Sequence, residues 1–285
     1  MPEPTAELTL TSDDVDRLIA TQHPALRAPL RAVAHGWDNE VFRLGDDLAV
    51  RLPRRAVAAT LIEHEQRWLP VLAPQLPVAV PVPVAVGDPD PAYPWRWSIV
   101  PWFDGIRLID LPVGGRDALA TDVAGFLRAL HVPAPPDAPS NPVRGVPLRG
   151  RDEAMRERLR SFPDLRQVWQ AAVDAEEWRR AAVWVHGDVH PANLVVNDAR
   201  LAAVIDFGDM CAGDPACDLA IAWTGFSPAG RAAFRAALAT SYDDATWVRA
   251  RGWAAAFATL LHDADDAGHR AMSAHAFDQL LDDAG

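Results

Sequence analysis

Apolar and polar positions change rhythm several times along the chain. Val15, Leu18 and Ile19 recur at helical spacing behind Thr11-Ser12-Asp13-Asp14, a polar cluster suited to capping a helix start. Short apolar runs follow at 31–35, 40–44 and 48–52. They are joined by Gly36-Trp37-Asp38-Asn39 and by the tight-turn signal Gly45-Asp46-Asp47, and they predict three strands. Residues 57–72 predict a helix with Trp68, Leu69 and Leu72 as its stripe, ending among the prolines at 70–74. The prolines of 76–83 remove backbone donors, so that stretch reads as an extended connector into a strand near Val84, and 95–100 as a fifth strand. From there the period is helical. One amphipathic helix is expected over 114–130, carrying Leu119, Val123, Phe126, Leu127 and Leu130, and a Pro- and Gly-rich loop over 132–150. Helices are expected at 152–160, 164–182, 214–225, 229–240, 244–263 and 268–282. Strands first and helices after describe an α+β chain.

Between those helices lies the stretch Val183-Trp184-Val185-His186-Gly187-Asp188-Val189-His190-Pro191-Ala192-Asn193-Leu194-Val195-Val196: an apolar run, a polar loop, and a second apolar run. A third run, Leu201-Ala202-Ala203-Val204-Ile205, ends in Asp206-Phe207-Gly208. Asp188, Asn193 and Asp206 therefore sit at the ends of short predicted strands. Phosphoryl transfer calls for such a set, because a carboxylate must take the proton of an attacking hydroxyl. An amide oxygen and a second carboxylate hold Mg²⁺ on the nucleotide phosphates. The spacing H-x-D-x-x-x-x-N followed by D-F-G matches the catalytic and metal-binding loops of protein kinases, with Gly187 where those enzymes carry arginine. A lone His-Gly-Asp is a weak signal, since Asp after Gly is a common turn; two ordered motifs on strand ends are not.

With Gly213-Asp214-Pro215 and Asp218 downstream, this block resembles the aminoglycoside phosphotransferase family, small-molecule kinases with a protein-kinase-like fold, and the resemblance covers nearly the whole chain. It implies a bilobal protein-kinase-like fold: a small antiparallel-sheet lobe over 1–103 that binds nucleotide and includes the hinge, and a larger, mainly helical lobe over 104–285 for catalysis and acceptor binding. It implies Asp188 as base, Asn193 and Asp206 as Mg²⁺ ligands, and ATP or GTP as donor. His186 and Asp218 fall at positions that support the catalytic loop. Arg51 stands where the resembled kinases usually carry a phosphate-binding lysine, a departure in residue type that retains a bidentate cation. Glu65, preferred over Glu63, is its expected partner. Pro101 C=O and Phe103 N–H are the expected hinge contacts to the base. Gly36 and Asn39 are candidates for covering the phosphates; a single glycine is more often a plain hairpin, and it is the position ahead of Arg51 that raises this reading.

Composition narrows the partners. The chain of 285 residues has a formal net charge of -12 and no lysine, so every fixed side-chain cation is arginine. That balance disfavours nucleic acid and is compatible with a cationic small molecule. No apolar run reaches the roughly eighteen residues a membrane span requires, and a cytoplasmic location is expected. Cys211 and Cys217 lack a companion pair of ligands and read as reduced, semi-buried thiols rather than a zinc site. His186 and His190, four apart in a loop that contains a proline, do not make a helical metal pair. The late acids Asp263, Asp265, Asp266, Asp278, Asp282 and Asp283 fit either a solvated face or ammonium binding. Asp209 is expected to face solvent. The function expected is transfer of a γ-phosphoryl group to a hydroxyl of an aminoglycoside-like antibiotic. A macrolide or a small metabolite as acceptor, and a nucleotide-binding pseudokinase, are the alternatives. A protein kinase is disfavoured by Gly187 and by the lack of an Ala-Pro-Glu sequel.

Overall fold

Thr11 caps the first helix of the computed structural model, which describes residues 5–35 and 37–282. Its hydroxyl accepts from Asp14 N, while the Asp14 carboxylate accepts from Thr11 N, a reciprocal capping box. The chain forms two compact units, one running up to Pro74 and resuming at Ala79–Asp104, the other comprising Gln75–Val78 and the chain from Gly105.

In the first unit, α1 (Ser12–Gln22) precedes β1 (Leu30–His35), β2 (Asn39–Leu44), β3 (Leu48–Pro53), α2 (Ala56–Leu72), β4 (Ala85–Gly87) and β5 (Trp97–Pro101). The strands form one antiparallel sheet in the order β1-β2-β3-β5-β4. Val15, Leu18 and Ile19 of α1 pack with Phe42, Leu44, Val50, Leu52, Tyr93, Trp97 and Ile99. Residues 49 and 51 point to the other face, where α2 lies against β3 and β5. With both faces covered, β3 is almost wholly buried, and its one charged residue, Arg51, must find a partner on α2.

The second unit opens with β6 (Ile106–Arg107), α3 (Val113–Arg116), α4 (Ala120–Leu130), α5 (Asp152–Arg158), α6 (Arg166–Asp174) and β7 (Val183–Val185). It continues through β8 (Leu194–Asn197), β9 (Arg200–Val204) and β10 (Cys211–Gly213) to five helices: α7 (Ala216–Leu219), α8 (Ile221–Thr224), α9 (Pro228–Ala237), α10 (Asp244–Leu261) and α11 (Ala267–Asp282). Two small sheets, β6-β8-β9 and β10-β7, carry the loops of interest. The long helix α10 is buried along most of its length and packs on α6, α7 and α11. Gly252 sets how near α6 comes, since a Cβ there would stand 2.3 Å from Ala172 Cβ.

Two expected helices are shorter. The stretch 114–130 is not one helix: α3 gives way to a 3-10 turn, Asp117–Leu119, before α4 begins. Asp117 is drawn out to accept from the backbone N and hydroxyl of Ser227, the cap of α9. The helix expected over 164–182 ends at Asp174, because the chain beyond is held extended. Ala182 accepts from Ala134 N, and Glu176 C=O accepts from Arg249, whose Nε lies 2.7 Å from Asp214. No helix among the described residues is long and apolar enough to cross a membrane.

Candidate active site

β7 delivers the chain into the loop His186-Gly187-Asp188, and Asp218 on α7 ties that loop down. The wholly buried Asp218 accepts from His186 N at 2.8 Å and Gly187 N at 2.9 Å, and lies 3.0 Å from His131 Nε2. Gly187 has φ 87°, and a Cβ there would stand 2.5 Å from Asp209 O. Only glycine fits, which accounts for its presence where protein kinases carry arginine. His186, also wholly buried, bridges two segments: Nδ1 accepts from Asp188 N at 3.2 Å, and Nε2 faces Ile205 O at 3.1 Å. One tautomer, protonated at Nε2, satisfies both.

Ile205 also donates its N–H to Asn193 O, so the strand that leads to Asp206 is fixed to the 186–193 loop from two sides. Asp206 is exposed and adopts φ 64°, a left-handed conformation uncommon outside glycine. Next to it the buried Phe207 stacks 4.3 Å from the His186 ring. Asn193 sits at the end of the 3-10 turn Pro191–Asn193, which His190 caps through Nδ1. Its Nδ2 donates to Asp188 O at 3.0 Å and lies 3.3 Å from Asp188 Oδ2, so Oδ1 is the atom left for a cation. An amide oxygen and a carboxylate are hard oxygen donors of the kind Mg²⁺ takes, and these two residues fit that ion. Among the described residues no cluster of three or more His, Cys, Asp or Glu forms a metal cage.

The two oxygens of Asp188 differ. Oδ2 faces His190 Nε2 at 3.2 Å and Asn193, whereas Oδ1 has a guanidinium nitrogen of Arg144 at 3.7 Å and accepts no hydrogen bond among the described residues. Burial opposes the Asp188 charge, but His190 and Arg144 outweigh it and hold the carboxyl well below the usual carboxylate range. His190 is raised in return: burial works against its charge and Asp188 favours it. Its ring also meets His269 of α11 edge-on, with centroids 5.4 Å apart, and His269 Nδ1 is 3.6 Å from Asp266.

Asp209 does not merely face solvent. Asn141 Nδ2 donates to it at 2.8 Å and Arg144 approaches to 3.3 Å, while burial raises its pKa ahead of the opposing effect of Arg144. Arg144 and Asn141 come from the Pro- and Gly-rich loop, and sequence reasoning did not single them out. The one signal was the length of that loop. Cys211 and Cys217 are free and fully buried rather than semi-buried; burial pushes the Cys211 thiol up to about 12 and Cys217 well above its usual value.

Within the first unit, Arg51 Nη1 donates to Glu65 Oε2, and both side chains are buried, whereas Glu63 is exposed. Asn39 opens β2 opposite Pro53, and its Oδ1 is buried with no hydrogen-bond partner among the described residues. Gly36 lies outside the described residues. Trp102 N donates to Asp47 O at 2.7 Å beyond the Leu48–Pro101 pair. Pro101 closes β5, and alternation along the strand turns its C=O to the opposite edge.

A family model described as the phosphotransferase enzyme family matches residues 29–253. No curated protein matches the chain. The GDP complex of wild-type aminoglycoside 2'-phosphotransferase-IIIa is 18% identical over 96% of this chain and 100% of that one, with a TM-score of 0.69. The macrolide 2'-phosphotransferase of Brachybacterium faecium, as apoenzyme, is 24% identical over 93% of this chain and 97% of that one, with a TM-score of 0.64. An ADP-bound aminoglycoside phosphotransferase is 18% identical over 95% and 97%, with a TM-score of 0.63. At these identities the likeness is one of fold, and the fold is that of small-molecule kinases.

Proposed function

The chain belongs to the phosphotransferase enzyme family, and from that premise we propose that it transfers the γ-phosphoryl group of ATP or GTP to a hydroxyl of a small molecule, an aminoglycoside-like antibiotic foremost. One observation carries the reading. Asp188 is an ionised carboxylate with one oxygen engaged by the loop and the other open, on a loop fixed by Asp218, His186 and Asn193. A general base needs that arrangement: fixed in direction, with a lone pair available to the incoming hydroxyl proton.

In this reading Asp188 takes the proton of the acceptor hydroxyl. Asn193 Oδ1 and Asp206 hold Mg²⁺, which when bound offsets charge on the phosphates. Arg51, held by Glu65, grips phosphate oxygens. Its bidentate guanidinium does the work of a lysine ammonium with a charge that cannot be lost. Pro101 C=O and Phe103 N–H are polar groups of the same unit proposed for the nucleotide base, with Gly36 and Asn39 further candidates from the sequence. A cationic acceptor is favoured by exposed Asp263, Asp265 and Asp266 between α10 and α11, since Asp266 faces His269, which in turn meets His190 beside Asp188. Two named neighbours are described as complexes of aminoglycosides, with kanamycin and with gentamicin.

The test is transfer of labelled γ-phosphate from Mg-ATP and Mg-GTP to a panel of aminoglycosides, macrolides, amino alcohols and sugar alcohols. The reading expects a labelled acceptor that disappears in Asp188→Asn. Nucleotide binding with no transfer to any acceptor would favour a pseudokinase.

A further inference from the structure

Arg144 is a buried cation held by two long ion pairs, with one of its donors unused among the described residues. Its side chain is 12% exposed, yet Nε is buried with no hydrogen-bond partner among the described residues. Nη2 stands 3.3 Å from Asp209 and 3.7 Å from Asp188 Oδ1, both longer than the roughly 2.7–2.9 Å of a formed charge-assisted bond. The two carboxylates compensate its charge, but an Nε buried without a hydrogen bond carries a cost that these long ion pairs do not offset.

Its position is nevertheless strictly set. Asn141 Oδ1 accepts from Val143 N and Arg144 N, while Asn141 Nδ2 holds Asp209. Gly145, with φ 62°, packs against Gly213 of β10 so closely that a Cβ on Gly213 would lie 2.7 Å from Gly145 Cα, and Asp214 N donates to Gly145 O at 2.9 Å. The guanidinium carbon stands 5.2 Å over the Phe257 ring, which blocks retreat toward α10. The result is a fixed cation beside the open oxygen of the base, between two carboxylates that would repel an arriving phosphoryl group.

The geometry points to Arg144 as a catalytic residue that donates hydrogen bonds to the transferring phosphoryl group. This rests on the reading of Asp188 as the base. In the step, the acceptor oxygen forms a bond to the γ-phosphorus and its proton passes to Asp188 Oδ1. The bond from the γ-phosphorus to the bridging oxygen breaks, and its electron pair leaves with the nucleoside diphosphate. Charge is carried meanwhile by the non-bridging oxygens, and Arg144 supplies the permanent positive charge next to them.

The test uses the full chain with Mg-ADP, with and without aluminium fluoride as the mimic of the transferring group, and needs no acceptor. Wild type should bind Mg-ADP more tightly when fluoroaluminate is present. Arg144→Gln should lose that tightening while binding Mg-ADP within about threefold of wild type, and Arg144→Lys should keep part of it. Slow hydrolysis of Mg-ATP to water should fall about 10²–10³-fold in Arg144→Gln, the loss typical of one removed oxyanion donor, and recover in part with added guanidinium. Undiminished tightening in Arg144→Gln overturns the proposal. So does loss of Mg-ADP binding itself in both Arg144 variants, which would mark a structural role. Full hydrolysis in Asp188→Asn would instead overturn the assignment of the base, and absence of nucleotide binding by wild type overturns both.

Discussion

Gly187 and Asp188 are neighbours with opposite demands. The first must have no side chain, and the second must present one atom of its side chain. Gly187→Ala forces φ 87° on an L side chain and drives a Cβ to 2.5 Å from a backbone oxygen. Strain of this kind costs roughly 1–3 kcal/mol before the collision is counted. Urea unfolding should show at least that loss, together with reduced transfer; an alanine variant as stable as wild type would contradict the geometry. Asp188→Asn should abolish turnover and leave nucleotide affinity nearly intact. It also has a signature in pH. A carboxylate whose folded-state pKa is depressed contributes stability present above the unfolded value, about 3.9, and lost as pH falls through the folded value. The stability gap between wild type and Asp188→Asn should therefore be full near neutrality and close as the solution is acidified below about pH 4. A gap that widens on acidification would reverse the sign assigned to the Asp188 environment.

At the level of elements, the site is three short strand ends and two tethers. Asp218 is the heavier tether, because its one buried carboxylate serves His186 N, Gly187 N and His131. Asp218→Ala leaves these groups without their acceptor, a loss of roughly 3–5 kcal/mol by analogy with breaking a buried pair. Chemical denaturation of the variant checks this, and a change below about 1 kcal/mol would fall short of even one lost buried hydrogen bond. The strand ends were legible in the sequence because each motif is local. His186, Asp188 and Asn193 share one loop, and Asp206 follows one hairpin later, so spacing alone brings them near each other. Arg144 and Asn141 were not legible. They reach Asp188 and Asp209 from a distant loop with no hydrophobic period, and their place is set by Asn141's own hydrogen bonds and by the Gly145–Gly213 contact. The breaks in the helices expected at 114–130 and 164–182 were hidden for the same reason. Asp117 and Glu176 answer to Ser227 and Arg249, partners far along the chain.

Taken whole, the molecule is an α+β chain of two units with a net charge of -12. Ligand linkage gives a test that needs no knowledge of the acceptor. Mg-ATP or Mg-GTP at a hundred times its Kd should raise stability by about 2.7 kcal/mol, and removing Mg²⁺ with a chelator should erase most of that gain. Equal stabilisation with and without the metal would argue against Asn193 and Asp206 as its ligands. The acidic balance bears on the acceptor. If ammonium groups are drawn in by exposed carboxylates, the KM for an aminoglycoside should rise with ionic strength over the range where the Debye length shrinks below about 10 Å. The KM for an uncharged sugar alcohol should stay flat.

The Arg51–Glu65 pair has a practical sequel. Nucleotide analogues that carry an acyl phosphate mark kinases by acylating an amine close to the phosphates, and profiling of whole proteomes relies on that amine. In the proposed reading Arg51 takes that position, a guanidinium buried against a carboxylate and too weak a nucleophile to be acylated, in a sequence with no lysine to substitute for it. Such reagents should occupy the site and leave no label, so a chemoproteomic survey would overlook this enzyme. A guanidine-directed dicarbonyl tethered to ADP is the reagent suited to finding it.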